Sequence, residues 1–187
     1  DGGYVSESSY KTWIAIWVTG RSNVKVFNCK FTSYYASANI FDGFDATSPL
    51  SDPGVTATGN KIYNNTVTNC SGVLAANGYN GTGSVMIGGQ TGFVIENNTI
   101  TNTGRPALKN GWPIKYWDNG YLKGCRILNN TLVKSPYQAT YWGEGGDWDF
   151  CIELFNIQGL EIAGNTIQGA IDLNYNYKGS YPYSVWI

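Results

Sequence analysis

Apolar and polar residues alternate with a period of two in short runs along this chain, and the alternation itself repeats. Ile95-Glu96-Asn97-Asn98-Thr99-Ile100 reads apolar, variable, polar pair, small polar, apolar. The same order recurs at Val26–Phe31, Ile62–Val67, Ile127–Leu132 and Ile162–Ile167. From the first residue of one copy to the next the spacing is 36, 33, 32 and 35 residues. A period of that size marks stacked supersecondary units rather than one closed core.

Each unit carries more than one strand. Ahead of the asparagine pair stand Ile14–Val18, Val85–Ile87 and Ile152–Leu154, each followed by a Gly-, Ser- or Asn-containing turn and a second alternating run. Period-two alternation predicts strands with one buried face, and the residues between them predict turns. A third short strand starts at the last apolar residue of each motif, as at Phe31, Val67, Ile100, Leu132 and Ile167. The repeat lacks the two-residue Asn-Gly links that hairpins favour. Stacked parallel strands, about 4.8 Å apart along an axis, explain it better. The expected fold is therefore all-β: a parallel β-helix, or solenoid, of about five to six rungs, with three short strands per rung and long loops between rungs.

The asparagines fall where the second strand bends into the third. Asparagine tolerates left-handed backbone and bonds to nearby main chain. Asn65, Asn98, Asn130 and Asn165 are expected to bond from rung to rung, and the ladder should end where Cys29 takes the same place. Three of the Asn-x-Ser/Thr triplets, at Asn64, Asn97 and Asn129, lie in this corner, so a structural role competes with glycosylation there.

Registering the first strands predicts an outward row along the axis: Trp17, Asp45, Met86, then Lys115 or Trp117, then Glu153 and Trp186. In the second rung Phe44 and Ala46 are expected to face inward, and 34–44 to form a loop. If Lys115 is the one that faces outward, it would stand about 5 Å from Glu153 and about 10 Å from Asp45. These three are the candidate catalytic residues if the chain is an enzyme. Neighbouring carboxylates are expected to keep the lysine charged. The second strands display a weakly basic stripe, Lys25, Lys61, Val94, Arg126 and Glu161.

Composition narrows the chemistry. Charged residues are 13% and aromatic residues 15%, with 7 Trp and 14 Tyr. Many aromatics sit in the excursions, where function concentrates on a regular scaffold. Trp17, Trp117, Tyr141, Trp142, Trp148 and Trp186 are candidate sugar platforms, since aromatic faces bury apolar C–H surface. Glu144, Asp147 and Asp149 form the densest acidic cluster; hard oxygen ligands of this kind suit Ca²⁺, although the loop lacks EF-hand spacing, and no other cofactor is expected. A net charge of −1 argues against nucleic acid, and no apolar run has the length to insert in a membrane. Histidine is absent, which removes imidazole bases and histidine metal ligands. The four cysteines form no CxxC pair and are expected to be mostly buried thiols.

The Asn-Asn-Thr rungs resemble the right-handed parallel β-helix repeats of the pectate-lyase-like superfamily. The resemblance covers nearly the whole chain and implies a range that includes polysaccharide lyases, hydrolases, esterases, epimerases, phage tailspikes and binding proteins. Residues 1–187 are read as a single β-helix domain, part of a longer helix. The expected function is a secreted or cell-surface protein that binds polysaccharide through aromatic loops and one outward sheet face. Part of a lyase or glycoside hydrolase is the alternative, and end-to-end self-association into a filament a further one.

Overall fold

A computed structural model of the chain describes residues 1–3, 12–43, 56–70, 83–102, 112–117, 120–134, 150–174 and 185–186. The strands form three parallel sheets. The first runs β1 (Ile14–Thr19), β4 (Ser37–Asp42), β8 (Gly83–Gly88), β12 (Trp112–Tyr116), β15 (Phe150–Phe155), β18 (Ala170–Asn174). The second runs β2 (Lys25–Phe27), β6 (Lys61–Tyr63), β10 (Val94–Glu96), β13 (Leu122–Leu128), β16 (Ile157–Ala163), β19 (Val185–Trp186), with β5 (Ala57–Thr58) and β9 (Gln90–Thr91) paired beside it. The third runs β3 (Lys30–Thr32), β7 (Thr66–Thr68), β11 (Thr99–Thr101), β14 (Thr131–Val133), β17 (Thr166–Gln168). Each strand pairs with its counterpart one repeat away, which is the expected parallel β-helix.

The core is a set of apolar columns. Val26, Ile62, Ile95, Ile127 and Ile162 stack in register in the second sheet, and Phe31, Val67, Ile100 and Leu132 in the third. Phe41 and Phe93 meet edge to face across the interior, with ring centroids 4.9 Å apart. Cys70, Cys125 and Cys151 are buried thiols, and burial pushes Cys125 up to about 12. Cys29 is exposed.

The corners carry the polar ladder. Asn65 Nδ2 donates to Asn98 Oδ1, Asn98 Nδ2 to Asn130 Oδ1, and Asn130 Nδ2 to Asn165 Oδ1, each at 3.0 Å. Each Oδ1 also accepts the backbone N–H of the preceding rung: Asn65 from Cys29, Asn98 from Asn65, Asn130 from Asn98, Asn165 from Asn130, at 2.8–2.9 Å. The ladder ends at Cys29, as expected. The residue before each ladder position turns the chain with positive φ: Asn28, Asn64, Asn97, Asn129 and Gly164. Asparagine and glycine are the residues that reach this region at low cost. A second buried amide pair at the first corner, Asn60 Nδ2 to Gln90 Oε1 at 2.9 Å, carries no sequence repeat that would announce it.

Two expected rungs differ. The first strand of the second rung is β4, inside the expected loop 34–44, and Asn39 and Phe41 share the inward side with Val85 and Ile87. Ile40, not Asp45, lies opposite Trp17 and Met86. Asn39 fills a position where a strand pattern expects an apolar residue, and that hid the strand. Its side-chain N and O are buried without a hydrogen-bond partner among the described residues. The sixth first-sheet strand is β18, separated from β17, the third strand of the fifth rung, by Gly169 alone. Trp186 therefore belongs to the second sheet, opposite Glu161, and not to the Lys115 row.

Asn98→Ala should cost at least about 3 kcal/mol, because Asn65 N–H and the Ile62 carbonyl lose buried partners. Asn165→Ala, at the half-buried end of the ladder, should cost less. Urea unfolding followed by far-UV circular dichroism measures both.

Candidate functional site

The outward row of the first sheet reads Trp17, Ile40, Met86, Lys115, Glu153 and Asp172. The fourth rung is settled in favour of Lys115, which stands opposite both Met86 and Glu153. Asp45, Tyr141, Trp142, Glu144, Asp147, Trp148 and Asp149 lie outside the described residues. The expected neighbour Asp45 is thus replaced in the row by Ile40, and Asp172 supplies a carboxylate that sequence reasoning missed.

Lys115 Nζ donates to Glu153 Oε2. This is a buried ion pair, with side chains only 9% and 7% exposed. The rings of Trp112 and Tyr116 lie 4.2 and 4.5 Å from Nζ. Tyr116 also stacks on Phe155 at 4.1 Å. Burial pushes the Lys115 ammonium below its ordinary value, against the attraction of Glu153 and Asp172. Burial also raises Glu153, with Lys115 opposing and Asp172 adding to the rise. Asp172 is raised by burial against the pull of Lys115. Tyr116 is pushed up to about 12 by burial and the same two carboxylates. The expectation that carboxylate neighbours decide the state of the lysine is corrected: loss of water outweighs them, since desolvation disfavours the charged form.

Trp17 and Trp117 come together at the other end of the row. Their centroids are 5.6 Å apart at 78°. The contact spans β4 and β8, whose outward Ile40 and Met86 are buried. Trp17 remains 53% exposed. A reason for the reach lies in Gly88: a Cβ there would come within 2.3 Å of the Trp117 carbonyl oxygen and 3.4 Å of its Cβ. Only a residue without a side chain lets Trp117 settle against this strand.

On the second sheet the expected stripe of Lys25, Lys61, Val94, Arg126 and Glu161 is in register. It is largely neutralised. Lys61 pairs with Glu96, and Arg126 Nε donates to Glu161 Oε2 at 2.7 Å. Arg126 and Glu161 also border a shallow hollow with Gly124, Cys125 and Gly159.

A family model described as a right handed beta helix region matches residues 6–170. No curated protein and no solved structure matches the chain.

Gly88→Ala should destabilise the fold by about 1–3 kcal/mol, the usual cost of overpacking. It should also weaken the near-UV circular dichroism of the Trp17–Trp117 pair. An unchanged spectrum and unfolding midpoint would show that the backbone yields there without effect.

Proposed function

The chain belongs to the right-handed β-helix family, and on that scaffold we propose that it binds a neutral polysaccharide at the Trp17–Trp117 end of the first sheet's outward row, where a ring is exposed. The reading rests on the Trp17–Trp117 pair: two indoles from distant rungs meet on one face, and one of them is more than half exposed. Sugar rings present apolar C–H faces, and an exposed indole loses unfavourable hydration by covering one.

Neutral charge in the ligand follows from how the cations are used. Lys115 is enclosed with Glu153, and Lys61 and Arg126 are paired with Glu96 and Glu161. Among the described residues of these faces, three of the four cations named here are thus paired and Lys25 alone is not among them, which leaves little to select an acidic polymer. The enclosure of Lys115 and Glu153 also argues against their touching a polymeric substrate, and so favours binding over cleavage. The low share of charged residues, with a polar surface rich in Asn, Thr and Tyr, suits a secreted or surface location.

Pull-down with insoluble and soluble neutral polysaccharides, with product analysis on the same incubation, tests the proposal. Trp17→Ala and Trp117→Ala should each weaken binding about five- to tenfold, near 1 kcal/mol. New reducing or unsaturated ends in the wild-type incubation would replace binding with catalysis. Equal retention of both variants would move the site away from this face.

A further inference from the structure

Lys115, Glu153 and Asp172 stand opposite one another on three adjacent parallel strands, β12, β15 and β18. The lysine Nζ is in direct contact with the Glu153 carboxylate, and both side chains are almost wholly enclosed. Trp112 and Tyr116 lay their rings against the same nitrogen. Parallel pairing fixes the relative position of the strands, so the amine and the carboxyl are held together for the lifetime of the fold. We infer that Lys115 and Glu153 condense with each other into an intramolecular amide, with Asp172 moving the protons, so that the fourth and fifth rungs are covalently joined.

The chemistry balances without any added reagent. A lysine and a carboxylic acid give an amide and one water. The reactive forms are the free amine and the neutral acid. In bulk water a lysine and a glutamate are both ionised and solvated, and the reaction does not proceed. Here enclosure penalises both ions. It lowers the lysine and raises the glutamate, which moves the pair toward the uncharged forms. The Lys115 ammonium proton passes to the neighbouring carboxylate. The Nζ lone pair attacks Cδ of Glu153 to give a tetrahedral carbon. Asp172 takes a proton from the nitrogen and delivers one to the departing hydroxyl. One C–N bond forms, one C–O bond breaks, water leaves, and Asp172 ends as it began. Asp172 is suited to both halves of that exchange because burial raises its carboxyl while Lys115 opposes the rise. Tyr116, pushed up to about 12, stays a phenol and does not compete as a base.

Two effects make the step favourable in this place. Holding the groups in contact replaces an encounter by a local step, a large gain in effective concentration. The product removes two ions from an enclosed site, where an ion pair is costly to keep. The amide would join residues 38 apart in sequence and restrict the unfolded chain as any cross-link does.

The test is the intact mass of the purified full chain under denaturing conditions. The expected mass is that of the sequence less one water. Tryptic digestion should give one branched peptide joining Lys115 to Glu153, with no cleavage after Lys115. Lys115→Arg and Glu153→Ala should restore the full sequence mass. Asp172→Ala should acquire the bond at least tenfold more slowly after refolding. The full sequence mass in folded wild-type protein, after prolonged incubation, would overturn the inference. So would a water loss that maps elsewhere, such as a succinimide at Asp42-Gly43. The wild-type mass and peptide map decide the matter even where a variant fails to fold.

Discussion

A coil of parallel strands has to bend three times per rung, and each bend leaves main-chain groups without a partner in the flat sheets. The asparagine ladder solves this at one corner. Every side chain in it is used at both ends, with the carbonyl oxygen taking an N–H from the preceding rung and the amide nitrogen reaching a strand carbonyl of that same rung, as Asn98 does for Asn65 and Ile62. A buried amide so used gains little net energy over water, but leaving it unpaired is expensive. The ladder therefore acts mainly by making other registers costly. It fixes which residue of one rung lies over which residue of the next, and the outward rows inherit that alignment.

The first sheet shows what alignment makes possible. Charges that would be unremarkable on an open surface become a strongly coupled group when placed in one column and enclosed. Lys115 has two acids within electrostatic reach, and their attraction still does not restore its ordinary acidity. Solvent removal is the larger effect. Further along the same sheet the column turns apolar, from Met86 to Ile40, and ends in the Trp17–Trp117 pair. One continuous strip thus changes from enclosed charge to exposed ring within a few strand spacings.

How much of this is legible in the sequence depends on how local its cause is. The corner ladder and the apolar columns follow from a motif repeated within a few residues, and they are as expected, whereas the choice between Lys115 and Trp117 in the fourth rung is made only by the register. Asn39 breaks the alternation in β4, so the second rung is displaced and Asp45 is given a place held by Ile40. Asp172 is missed because β18 follows its predecessor after Gly169 alone, and its place in the row is given to Trp186, further along the chain. The Trp17–Trp117 contact depends on Gly88, two strands away from one ring and next to the other. No window along the chain contains all three. The direction of the Lys115 shift is likewise out of reach, because composition tells which charges are neighbours but not how much water they lose.

The ladder also has a sense of direction. Each asparagine supplies the oxygen that the rung before it requires, and the nitrogen that reaches back to that rung's strand. A rung at the leading edge consequently asks nothing of its own side chain at this corner: it offers an N–H and a carbonyl and is completed by its successor. Cys29 shows the consequence, since a thiol stands there while its backbone N–H is satisfied by Asn65 at 2.9 Å. The two faces of any rung are thus chemically unequal. The stack is a vector, in which tolerance to substitution at the corner is decided by the side on which a neighbour is missing.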